Sequence, residues 1–158
     1  MGNLTDWYGA RSSWTLPFRR DAKRYYGDVV RSELHAGYLL YRHEGLDIPG
    51  RPEPVPVTVR FDAQPRYETY GLRAEDYPRV YADPGLPSPH RMPDDSLCLF
   101  YPGDPPDRRW TADNGLLKLL SLTADHIFFE TYWRDTGGHD RGIWLGLEAP
   151  HGYQGPTP

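Results

Sequence analysis

Between Asp83 and Arg109 the chain carries seven prolines, a density that no helix or interior strand tolerates. Proline lacks the amide hydrogen that helices and sheet ladders need, and it pushes the residue before it out of the helical region. The stretch is therefore one long irregular loop, and it separates a strand-bearing first half from a helical last third. Loops of this length are uncommon in compact domains and often carry function. This one holds the single cysteine of the sequence, Cys98, inside "HRMPDDSLCLFYPGDPPDRRW" (90–110).

Ahead of the loop, residues 19–35 place Tyr25, Tyr26, Val29, Val30 and Leu34 at three- and four-residue steps, which predicts a helix despite Gly27. "GYLLYRH" (37–43) and "VPVTVRFDA" (55–63) are short, β-branched or aromatic, and bounded by Gly and Pro. They predict strands, the second with Val55, Val57, Val59 and Phe61 on one face. "YETYG" near 67 and "RVYAD" near 79 are weaker strand candidates. After the loop, Thr111 is a helix N-cap candidate, and Leu116, Leu119, Leu120 and Thr123 form one helical face. A second short helix is expected from Thr123 or Asp125 to Trp133, ended by the glycines of "DTGGHDRG". Strands followed by helices define an α+β class. The reading is one domain over 1–150 with a flexible tail over 151–158.

The 158 residues suffice for a core without staples, and one cysteine excludes an internal disulfide framework and paired-cysteine zinc sites. No metal cluster is visible, and neither GxGxxG nor GxxxxGK[ST] occurs, so no cofactor is expected. The N-terminus has no signal-peptide run, and no stretch approaches the roughly 18 apolar residues of a membrane span. A cytoplasmic protein is expected. The net charge of −4, with both signs mixed, argues against a dedicated nucleic-acid binder. The 12 Tyr and 5 Trp suit either a compact core or a docking surface.

A lone cysteine is commonly a small buried apolar residue, and "SLCLF" is apolar. The prolines on both sides argue for a displayed thiol instead. Asp94 and Asp95 raise a neighbouring thiol's pKa, so a protease-like thiolate is not indicated. His90, His126 and His139 can approach Cys98 only through the fold. Asp94, Asp95, Asp104, Asp113 and Asn114 are candidate assistants by proximity in sequence, with turn or cap roles as the alternative.

"PHRMPDDSLCLF", Trp110 and "LLKLLSL" together resemble the active-site segment of the ubiquitin-conjugating enzymes. His90 matches the histidine of that family's His-Pro-Asn motif, Ser96-Leu97-Cys98-Leu99 the catalytic cysteine segment, Trp110 the later tryptophan, and Leu116–Leu122 the following helix. The resemblance covers roughly residues 30–135. "FFETYWRDTGGHDRGIWLGLEAPHG" resembles, more narrowly, the short stand-alone ubiquitin-conjugating-like proteins of bacterial CBASS antiphage operons, through Tyr132-Trp133, Thr136-Gly137, Trp144, Gly146, Glu148 and His151. Arg91-Met92 stand where the eukaryotic motif has Pro-Asn, and His90 lies eight residues before Cys98 instead of ten.

The resemblance implies a ubiquitin-conjugating-like fold: an N-terminal helix, a four-stranded antiparallel meander, an active-site loop and C-terminal helices. It implies Cys98 as nucleophile and His90 as a loop-organising residue. The partner implied is a cGAS/DncV-like nucleotidyltransferase (CD-NTase), whose activated C-terminus would be held on Cys98 as a thioester and passed to a target. Two other readings stay open: a catalytically silent binding module of the same fold, and a thiol hydrolase that removes C-terminal adducts.

Overall fold

The computed structural model describes residues 6–146, so the expected tail at 151–158, with Glu148 and His151, lies outside the described residues. Helix α1 (Ser12–Tyr26) leads into strands β1 (Val30–His35), β2 (Tyr38–Leu46), β3 (Val55–Asp62) and β4 (Arg79–Tyr81). After the proline-rich loop come α2 (Gly115–Asp135) and the one-turn α3 (Gly138–Arg141). The four strands form one antiparallel sheet in the order β1-β2-β3-β4, an α+β layout with flanking helices before and after the sheet.

The first helix differs from the expected 19–35 at both ends. It starts at Ser12 and carries Pro17 in its interior, where Trp14 and Phe18 stack at 4.5 Å and supply packing that outweighs proline's local cost. It ends at Gly27, whose φ of 64° is the left-handed conformation glycine reaches without strain. Lys23 Nζ donates to the carbonyls of Gly27 and Val30 at 3.2 and 2.9 Å, placing a cation where the helix dipole is negative. Residues 30–35 then pair with β2, from Val30 opposite His43 to His35 opposite Tyr38.

The stretch "YETYG" is not a strand. Tyr70 (φ 53°) and Gly71 (φ 83°) are both left-handed, which an extended ladder cannot hold. The Tyr67 hydroxyl instead donates to the Tyr77 carbonyl at 2.6 Å. The last helix is also one element rather than two. Thr123 is fully buried within α2 and donates its hydroxyl to the Leu119 carbonyl at 2.8 Å, so the helix runs through it. Thr111 caps a single 3-10 turn (Ala112–Asn114) that precedes α2, instead of capping α2 itself.

The strict alternation of β3 is as read, with Val55, Val57, Val59 and Phe61 all buried. They pack with Phe18 and Ala22 of α1 and with Leu116, Leu119, Leu120 and Ile127 of α2 in one core. Among the described residues, no helix is long and apolar enough to cross a membrane.

Candidate functional site

Cys98 is positioned by the edge of the sheet. Leu97 N–H donates to the Val80 carbonyl of β4 at 2.8 Å, and Leu97 also bridges antiparallel to Arg91. Met92 N–H reaches the Ser96 carbonyl at 2.8 Å, and Cys98 N–H reaches the His90 carbonyl at 3.1 Å. Residues 90–98 thus fold back as a tight excursion, with Cys98 beside His90 where its two ends meet.

The aspartates of this excursion build the turn. Asp94 Oδ1 accepts from Ser96 N–H at 3.0 Å and from the Ser96 hydroxyl at 2.5 Å. Its Oδ2 meets the Tyr81 hydroxyl at 3.2 Å and Arg79 Nε at 3.3 Å. Asp95, at φ 70°, accepts from Gly85 N–H at 2.8 Å and from Arg91 Nη1 at 2.9 Å. Neither residue lines the cleft on which Cys98 opens.

That cleft, of about 720 Å³, lies between the proline-rich loop and α2. Cys98 is partly exposed on its loop wall. Leu119, Leu122 and Phe129 of α2 form an apolar face, and Lys118, Asp125, Asp104 and Arg108 add charges of both signs. Burial pushes the nearby Tyr77 phenol up to about 12, with Arg79 pulling it down and Cys98 adding to the rise.

His90 and His126 line the same cleft. His90 is buried, takes a backbone bond from Cys98, and donates its own N–H to Ser88 Oγ at 3.1 Å. His126 is 3.5 Å from Glu130 through Nε2. Asn114 also lines the cleft, while its Oδ1 accepts from Thr111 N–H at 2.9 Å. Asp104 lines it too, and its carbonyl accepts from Arg109 Nε at 2.9 Å. Asp113 is exposed and lies outside the lining. His139 packs edge-on against Trp133 at 4.9 Å and is likewise outside it. Trp110 is a core residue whose indole N–H donates to the Gly115 carbonyl at 3.0 Å, closing the start of α2.

Asn114→Ala is expected to lower stability by about 0.5–1.5 kcal/mol, the net worth of one hydrogen bond. Denaturant titration reads that loss. If Asn114 acts only as a cap, the rate of Cys98 alkylation in the folded protein stays unchanged.

Sequence reading missed the ion-pair network behind the cysteine turn. Arg91 Nε and Nη2 donate to the two carboxylate oxygens of Glu130, both at 2.9 Å, and Arg91 Nη1 reaches the Asp83 carbonyl at 2.9 Å. Arg51 holds the Asp83 carboxylate at 2.7 and 3.1 Å. Burial alone pushes the Glu130 carboxyl up, but the His126 ring 3.5 Å away and the two hydrogen bonds from Arg91 outweigh it and hold the group down at about 2. A signal existed, because Glu130 continues the face set by Leu116, Leu119, Leu120, Thr123 and Ile127. An acid on a buried helix face requires a partner.

Among the described residues, no group of His, Cys, Asp and Glu could hold a metal ion. No protein-family model, curated protein or solved structure matches the chain.

Proposed function

We propose that the protein is a cysteine-dependent acyl transferase of the ubiquitin-conjugating type. Its partner on this reading is a protein with an activated C-terminus, of the cGAS/DncV-like nucleotidyltransferase class that the sequence resemblance implies. The observation that carries the proposal is a partly exposed thiol at the wall of an open cleft, just beyond a four-strand antiparallel meander and facing a long helix. An extended C-terminal tail can lie along such a cleft with its carbonyl at Cys98.

The Cys98 thiolate attacks the acyl carbon. A carbon–sulfur bond forms, and the bond to the activating group breaks. The departing group leaves with the electron pair, and the proton released by Cys98 balances it. An incoming amine or hydroxyl then takes the acyl group and returns the thiol. Exchange between thiols of similar energy needs orientation and access more than acid–base machinery. The charged groups at the cleft would select the tail, and the Asp94/Asp95 turn would hold the thiol in place.

Wild type mixed with a partner whose C-terminus is activated should form an adduct that hydroxylamine or thiols release. Cys98→Ala should form none, because no other thiol exists in the chain. Cys98→Ser should trap an oxyester that thiols leave intact. Binding without any Cys98 adduct would turn the reading to a non-catalytic binding module.

A second reading, a thiol hydrolase acting on C-terminal adducts, is favoured by the two imidazoles in the same cleft as Cys98. It predicts that Cys98 releases a C-terminal adduct to water. His126→Ala would abolish that release if His126 serves as its base, whereas a transfer reaction between thiols would lose much less.

A further inference from the structure

After α3 the chain doubles back along α2, and residues 142–146 lie over one end of the cysteine cleft. We propose that these residues are a strap and that Trp144 is its latch, closing the His90/His126 end of the cleft until a ligand or partner lifts it. The inference concerns access to Cys98, so it stands whichever acyl chemistry Cys98 performs.

The strap is built from alternation. Ile143 and Leu145 face out, 50% and 49% exposed, while Gly142, Trp144 and Gly146 turn partly inward. At two of the inward positions any side chain would force its neighbours or the strap to shift. A Cβ on Gly142 would come within 2.6 Å of the Trp133 ring, and one on Gly146 within 2.8 Å of Phe129. Between these close approaches, the Trp144 ring sits 4.2 Å from His90, 5.4 Å from His126 and 5.6 Å from Phe129. Trp144 and Gly146 line the same cleft as Cys98.

Among the described residues, the strap's hydrogen bonds lie at its start, from Gly142 N–H to the Gly138 carbonyl at 2.7 Å and from Ile143 N–H to Thr136 Oγ1 at 2.8 Å. Beyond them, the Trp144 ring packs on His90, His126 and Phe129. Its buried indole N–H meets no acceptor among the described residues, which makes the closed seat less stable than a satisfied one. Ile143 and Leu145 meanwhile keep apolar surface in water that an arriving partner would cover. The ring contacts favour closure and the unpartnered indole N–H opposes it, the two biases a gate works between.

The test compares Cys98 labelling by iodoacetamide and by a bulky fluorescein maleimide in the full chain. Dividing the second rate by the first cancels changes in thiol reactivity and leaves access. Trp144→Ala should raise this ratio about threefold to tenfold, the range spanned by an aromatic seat of this kind. Trp144→Phe, which keeps a ring on His90, should stay near wild type. An unchanged ratio in a folded Trp144→Ala protein overturns the gate. If that variant does not fold, Thr136→Val, which removes the acceptor for Ile143 N–H, takes its place with the same two outcomes. Loss of adduct formation in Cys98→Ala is a separate readout, so the gate and the transferase reading fail independently.

Discussion

Arg91→Ala is expected to destabilise the protein by about 3–5 kcal/mol, because it strands the Glu130 carboxylate without its main partner in the interior. The side chains of Arg91 and Glu130 are 6% and 0% exposed, so water cannot replace the lost bonds. Urea unfolding reads the loss. Replacing both residues together, Arg91→Met with Glu130→Leu, should recover much of it, since an apolar pair of similar volume removes the desolvation cost from both sides. A double variant as unstable as Arg91→Ala would mean that Arg91 acts mainly through the Asp83 carbonyl and Asp95.

The same carboxylate sets an acid limit. The folded Glu130 titrates at about 2 against an ordinary 4.5. The unfolded chain therefore takes up this proton at higher pH than the folded one. Its contribution to stability is complete above about 4.5 and is lost as pH falls toward 2. Glu130→Gln should be less stable at neutral pH, with a flatter stability profile across that window.

Phe61→Ala is the second large effect, about 3–5 kcal/mol. Phe61 is fully buried at the centre of an aromatic cluster, 5.3 Å from Trp14, 5.2 Å from Phe18, 6.1 Å from Tyr41 and 6.5 Å from Trp110. These rings come from α1, β2 and the segment before α2, so truncation of Phe61 on β3 leaves a cavity that no single element can close. Phe61→Leu should cost clearly less. Tyr25→Ala, at a side chain 73% exposed, should stay within about 0.5 kcal/mol of wild type. Equal losses at positions 25 and 61 would contradict the core as described.

What the sequence determined by itself follows from local chemistry. The period-two run Val55–Phe61 could bury a face only as a strand, and the seven prolines after Asp83 forbade a long element there. Leucines at helical spacing after Thr111 marked α2, and the order helix, strands, loop, helix set the α+β class. Tertiary structure decided the rest, because the deciding contacts lie far apart in the chain. Val30–Leu34 suits a helical period, but β2 offers it a complete ladder, and Gly27 breaks the helix before it. Thr123 looked like a start, but packing buries it inside a single helix. The cleft draws His90 and Cys98 from the loop, His126 from α2 and Trp144 from beyond α3. Arg91 and Glu130 are joined across 39 positions. Such pairings depend on how the loop docks on α2, and no local propensity or spacing encodes that docking.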